Sequence, residues 1–409
     1  MTCRMMIAMV AVACWFASDA MSAWAAAKTL AVEAGPSARA NVPMGVPLPA
    51  GTTKAKMMDG AKEVPCQVAD GQLFWILDSL AAGASKEYTV DLGADSSANP
   101  QAVELKQTAD EIAVTIDGQP FTSYRFAPKK FAGVQARRPY FYPVFGPNQA
   151  PMMRPFPCTD EPPPAGMSSD HPHHTGIWVA YGEVSGVDNW SVGEKAGWQV
   201  HTGFPAVVSG AVLGYFRETL DWTTAEKKPN MAEVRTVRFW RLPGTIRIMD
   251  FEITFDARYG PVVFGDTKEG GIISTRMRDD IRADKQGKNG RIVNAQGLSG
   301  NDAWGKTSEW VDCSGTVGDA KVGYALFDAP TNFRHPTPWH ARTYGLCSAN
   351  PFGVAAFGAK GTAKSEYTLE AGKTLTLRYR IYFHTGDEKE AQVAARYADY
   401  AQPPKATWK

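Results

Sequence analysis

The sequence has no surplus of either charge. Among its 409 residues, 43 Lys and Arg are set against 42 Asp and Glu, for a formal net charge of +1. Without a basic stripe there is no electrostatic footprint for nucleic acid or for an anionic membrane surface. Beyond the extreme N-terminus, no stretch approaches the roughly 20 consecutive apolar residues of a membrane helix. A Gly-x-Ser-x-Gly elbow, a His-Glu-x-x-His helix, a phosphate-cradling Gly-Lys-Ser/Thr loop and a dinucleotide fingerprint are all missing, so serine-hydrolase, zincin, nucleotide and Rossmann readings fall away. The cysteines Cys66, Cys158, Cys313 and Cys347 are widely spaced with no Cys-x-x-Cys pair. Zinc held by four cysteines is therefore not expected, and three full disulfide pairings stay open.

What is present begins with an export signal. Arg4 supplies a positive start, Met5 to Ala17 is apolar but too short to span a bilayer, and Ala23-Trp24-Ala25 offers the small residues a signal peptidase reads. Cleavage is expected after Ala25, leaving a secreted or periplasmic chain.

Almost every patterned segment has the period of a strand. Leu73 to Leu77, Tyr88 to Leu92, Ile112 to Ile116, Phe121 to Phe126, Gly176 to Gly182, Val234 to Arg241, Ile246 to Phe255, Val322 to Phe327 and Leu375 to His384 are rich in β-branched and aromatic residues, and Asp117-Gly118 is a hairpin turn signal. One helix is expected near the C-terminus, capped by Asp387 with Glu390 three residues on and Ala391, Ala394, Ala395 and Ala398 at helical spacing. The fold class is mainly β: a large antiparallel β-sandwich of the supersandwich kind. A small polar break at Gly93 to Pro100 sets off a β subdomain at 28–97 from the main sandwich at 100–409.

Histidines carry the chemistry. Of seven in the chain, three lie in Asp170-His171-Pro172-His173-His174-Thr175-Gly176 and two in His335-Pro336-Thr337-Pro338-Trp339-His340. Imidazole titrates near neutral pH and can pass protons or ligate metal. In extended chain His171 and His173 would face one way and His174 the other. Phe264-Gly265-Asp266-Thr267-Lys268-Glu269-Gly270-Gly271 offers carboxylates, with glycines that let backbone approach a ligand. Trp178, Trp190, Trp304, Trp339 and Tyr344 supply flat faces suited to sugar rings, and Arg276, Arg278 and Arg342 could bind a carboxylate or a hydroxyl array.

These motifs, with Trp304-Gly305-Lys306, Asn350-Pro351-Phe352-Gly353 and Tyr379-Arg380, resemble in order those of a secreted bacterial family labelled "PmoA, methane oxygenase", over most of residues 100–385. That label is shared with a multi-span membrane subunit, whereas this chain has no later span. The histidine-rich segment and Tyr379-Arg380-Ile381-Tyr382-Phe383-His384 are also similar to aldose-epimerase-like supersandwich proteins, which implies a sugar-binding cleft on one sheet using His and acidic side chains.

The reading that follows is a carbohydrate-active enzyme, a hydrolase, lyase or epimerase. His173 or His174 would transfer the proton, Glu269 or Asp266 would act as the opposing acid or base, and His340 would join them. His171, Trp178, Lys268, His335, Trp339, Arg342 and Tyr344 would hold substrate. The partner is a carbohydrate, and no cofactor is expected. Two alternatives are a non-catalytic sugar-binding module and, more remotely, a metal-dependent oxygenase with a divalent metal on His171, His173, His335 or His340 and Asp266.

Overall fold

A computed structural model describes residues 27–97, 101–162, 164–285, 289–358 and 360–409. The expected signal peptide and its cleavage site lie outside these residues. The main body is the expected antiparallel sandwich of two broad sheets. One has eight strands, in the spatial order Trp198–Val208, Leu213–Thr223, Pro229–Trp240, Ile246–Asp256, Thr374–Thr385, Ala320–Asp328, Trp310–Val317 and Arg291–Asn294. The other has seven, in the order Leu346–Ala349, Gly270–Arg276, Ile177–Tyr181, Tyr140–Val144, Gln119–Arg125, Glu111–Ile116 and Val103–Gln107. Asp117 and Gly118 both take positive φ, which turns Glu111–Ile116 into Gln119–Arg125 as the dipeptide predicts.

Between the sheets lies one apolar core. Aromatic side chains from both layers interlock edge to face, for example Phe141 on Phe251 at 5.7 Å and Phe121 on Phe383 at 5.8 Å. The strand Ile246–Asp256 shows the alternating burial of a strand with one face in that core. Pro229–Trp240 does not alternate as its sequence suggests, because its outer face is covered as well. Residues from the leading unit, the eight-stranded sheet and the C-terminal helix build a second apolar layer there, with Phe74 edge-on to Trp240 at 5.8 Å.

The leading unit has its own core around Leu30, Met57, Trp75 and Tyr88. It is closed by the last strand of the chain, Lys405–Trp408, which pairs antiparallel with Lys28–Glu33. The C-terminal helix runs Val393–Ala401, later than its sequence signal. Asp387 and Glu390 do make reciprocal hydrogen bonds, but these close a separate turn ahead of the helix. No helix among the described residues is long and apolar enough to cross a membrane.

Candidate functional site

The site is built on the outer face of the seven-stranded sheet, across Ile177–Tyr181, Gly270–Arg276 and Leu346–Ala349. Just ahead of the first of these, the histidine segment is a turn rather than extended chain. His171 has φ +46°, Pro172 follows, and the His174 N–H donates to the His171 carbonyl at 3.0 Å. Gly176 then lets the chain enter the sheet: its φ is +62°, and a Cβ there would stand 2.1 Å from the Phe141 carbonyl oxygen. The expected alternation of side chains is thereby overturned. All three imidazoles gather, His171 stacked on His174 at 4.9 Å and His173 edge-on to His174 at 4.3 Å. Tyr344 stacks on His171 at 4.9 Å, Trp178 on His174 at 5.3 Å, and Trp190 closes the side next to His173.

A charged base holds this turn. Arg154 and Arg276, both fully buried, converge on one oxygen of Asp170 and share the Ser168 hydroxyl. The His171 Nδ1 lies 2.9 Å from the other Asp170 oxygen. Burial would raise the Asp170 pKa, but Arg276, Arg154 and His171 outweigh it and hold the carboxyl down at about 2. Arg138, also buried, donates to the carbonyls of His173 and Asn189 and so pins the turn from the other side.

His173 and His174 are kept neutral. Burial, with help from Arg138 and His171, lowers the His173 pKa to about 4 against the opposing pull of Glu269 and Asp188. His174 is driven well below its ordinary value, first by burial and then by His173 and Arg276. Its Nδ1 faces an Arg276 guanidinium N–H at 3.4 Å, which requires the neutral acceptor form. His173 is half-buried and His174 has 1% of its surface exposed, so only the former can touch a ligand.

The opposite rim comes from the carboxylate-bearing turn and the second histidine segment. Lys268 and Glu269 are exposed and paired with each other at the head of Gly270–Arg276. The glycines beside them serve strand packing rather than a ligand: a Cβ on Gly270 would meet the Tyr181 ring at 2.5 Å, and one on Gly271 would meet Ser348 at 2.3 Å. His340 is bound through its N–H to the Ser348 carbonyl at 2.8 Å, and its ring meets the Lys268 backbone. Burial, then Arg342 and Lys268, lowers its pKa to about 3. His171 acts electrostatically on both His173 and His340, Glu269 on both His173 and Tyr344, and Arg342 on both His340 and Tyr344, so the two histidine segments meet on one face.

Three expected members stand elsewhere. Asp266 accepts from the backbone N–H groups of Ala355, Ala356 and Ser365 at 2.8–2.9 Å, so both its oxygens organise a neighbouring loop. His335 pairs through Nδ1 with the buried Asp328 at 2.8 Å, where Asn332 and the Thr337 N–H also donate. Trp339 is in the core between the sheets, its Nε1–H donating to the Ser308 carbonyl at 2.7 Å. Trp178 is at the site but 1% exposed, so it supports the ring stack from beneath. Conversely, Arg138, Arg154, Ser168 and Asp170 are structural to the site and were not singled out. Asp170 alone had a signal, its place at the head of the histidine run.

For a metal, the stacked geometry is unfavourable, because parallel imidazoles do not converge their lone pairs. Among the described residues no three His, Cys, Asp or Glu side chains are placed to hold one ion. A large cavity of about 1060 Å³ lies away from this chemistry, between the leading unit, Arg291–Asn294 and the C-terminal helix, lined by Arg39, Trp310, Glu388 and Arg396.

The model of a family of unknown function, DUF6807, matches residues 111–398. No curated protein matches significantly. Among solved structures, a glycosyl hydrolase family 38 protein from Enterococcus faecalis aligns at TM-score 0.43 and 8% identity, over 94% of this chain and 47% of that one. An α-mannosidase from Enterococcus faecalis V583 aligns at TM-score 0.42 and 9% identity, over 94% and 46%. The chain thus spans about half the length of the structures it matches.

Proposed function

Given that the chain belongs to this family of unknown function, DUF6807, we propose that it is an exported carbohydrate-active enzyme whose histidine face processes a glycan or glycan fragment by acid-base chemistry. One observation carries the reading: a neutral, half-buried imidazole, His173, stands on a platform of stacked rings within electrostatic reach of an exposed carboxylate, Glu269. Hydrolysis, elimination and epimerisation of sugars all need a proton taken at one position and given at another. His173 is free to accept a proton at neutral pH and, once protonated, to give it back at the other position of the sugar, while the Glu269 carboxylate opposite it stabilises the imidazolium formed in between. His171 and Tyr344 offer ring faces and edges to the sugar, while Lys268 and Arg342 supply donors to its hydroxyls. His174 and His340 act through their neighbours, filling the space beneath with uncharged rings.

The test is turnover on a glycan panel with product analysis. We expect His173→Ala and Glu269→Gln each to lose about 10²–10⁴-fold in rate with an unchanged melting temperature. Full activity in both variants would remove the acid-base assignment. A second reading, sugar binding without catalysis, is favoured by the depth of His174 and His340, which leaves only His171 and His173 reachable. Tight binding with no product after long incubation would select it.

A further inference from the structure

The cations of the histidine face are not alike. Arg154 and Arg276 share Asp170, Lys268 is paired with Glu269, and Arg138 is spent on two backbone carbonyls. Arg342 differs. It is half-buried at the turn into Leu346–Ala349, where the Gly345 N–H donates to its carbonyl at 2.8 Å. Its guanidinium lies over the rings of Trp304 at 5.8 Å and Tyr344 at 5.6 Å. Among the described residues no carboxylate is in ion-pair contact with it. An aromatic ledge fixes the direction of a guanidinium without neutralising it, and leaves its planar fork of donors to match a carboxylate.

From this geometry we infer that the saccharide taken by this face is an acidic one, whose carboxylate docks on Arg342 beside Tyr344 while its ring lies toward His171 and His173. The inference rests on the histidine face being the sugar site, as proposed above, and adds the class of sugar. The surroundings suit an anion. The nearby His173, His174 and His340 are neutral, so none of them draws the carboxylate away from Arg342, and at the rim Lys268 and Glu269 offset each other's charge, which leaves Arg342 as the unpaired cation of the face among the described residues. A neutral sugar would leave Arg342 with hydroxyl partners only, which are weaker than the charge-assisted, two-pronged contact with a carboxylate.

The experiment is calorimetric titration of the full chain with galacturonate, glucuronate and mannuronate oligosaccharides. Each is paired with the same oligosaccharide after its carboxylates are reduced to alcohols, and a neutral glycan panel is run alongside. We expect at least one acidic member to bind about tenfold or more tighter than its reduced counterpart, the size of one charge-assisted contact. Arg342→Gln should abolish that preference, Arg342→Lys should keep part of it, and added salt should erode it. Should Arg342→Gln fail to fold, the Lys variant and the salt dependence still decide. Equal binding of acidic and reduced forms, or a preference that survives Arg342→Gln, overturns the inference and leaves a sugar site standing. Failure of every glycan, acidic and neutral, to bind overturns both.

Discussion

Asp170 shows how much of this site turns on one side chain. Its carboxylate is 44% exposed, yet it is the direct ion-pair partner of two guanidiniums with no exposure at all. Replacing it with Asn would leave Arg154 and Arg276 buried with Asp279, 3.9 Å from Arg276, as the nearest remaining ion-pair partner. Breaking a fully buried pair costs about 3–5 kcal/mol, and water reaching the half-exposed carboxylate discounts this to about 1–3 kcal/mol. Asp170→Asn should therefore lower stability by that amount in urea unfolding at pH 7. Because its pKa is held below the unfolded value, the Asp170 contribution is complete above about pH 4 and is lost as the pH falls toward about 2. The histidines set an earlier acid limit. His173 and His340 are held neutral, at about 4 and about 3, against an ordinary value of about 6.5. Their folded pKa values are depressed, so the unfolded chain binds more protons and stability drains as the pH drops below about 6.5 toward 3. Urea midpoints at pH 7, 5 and 4 should fall in that order, and His340→Phe should flatten the slope. A midpoint independent of pH over this span would contradict the buried neutral state. At this scale the sequence is a poor guide. Asp266 and Asp170 each stand in a polar, turn-like segment, but one is consumed by three backbone N–H groups and the other anchors the site, through partners about 90 and 100 residues apart in one case and 16 and 106 in the other.

At the level of elements, legibility depended on whether the signal was periodic or conformational. Strand positions such as Ile246–Asp256 and Thr374–Thr385 follow from side-chain alternation and β-branched content, which are local. The shape of Asp170–His174 does not, because it needs a positive φ at His171, outside the region a β-strand period assumes. The helix Val393–Ala401 illustrates the same limit, since its capping pattern was real but was used by the turn before it. Gly176 joins the two kinds of information. It is the step from turn to strand, and both its φ and the Phe141 carbonyl exclude a side chain. An alanine there must pay about 1 kcal/mol of left-handed strain and also push a core strand aside. We expect Gly176→Ala to cost more than 2 kcal/mol in urea unfolding and to displace the histidine turn, seen as altered His171 and His173 imidazole resonances. A neutral outcome with unchanged resonances would show that the turn is held by Arg154 and Arg138 alone.

For the whole molecule, the chain's two ends decide how the leading unit and the sandwich are coupled. Lys405–Trp408 leaves the C-terminal helix, pairs with Lys28–Glu33, and anchors Trp408 through its Nε1–H to the Pro47 carbonyl at 2.9 Å. The leading unit therefore holds the last strand of the chain, although the polar break at 93–100 suggested a unit made only of what precedes it. The rest of the coupling is broad: Gln67 accepts from the Val212 and Leu213 N–H groups, Asp70 pairs with Arg217, and the apolar layer around Trp240 is shared. The histidine face lies across the seven-stranded sheet, on the side of the sandwich away from this contact. Deleting residues 405–409 removes one strand and its tryptophan but leaves the shared layer in place. Hydrogen exchange at Lys28–Glu33 should then accelerate strongly, because its outer edge loses every backbone partner, while amides of Ile177–Tyr181 and Gly270–Arg276 keep their protection and the histidine face keeps its ligand affinity. If protection in those two strands fell in step with that of Lys28–Glu33, the shared layer would be binding both units into one cooperative fold.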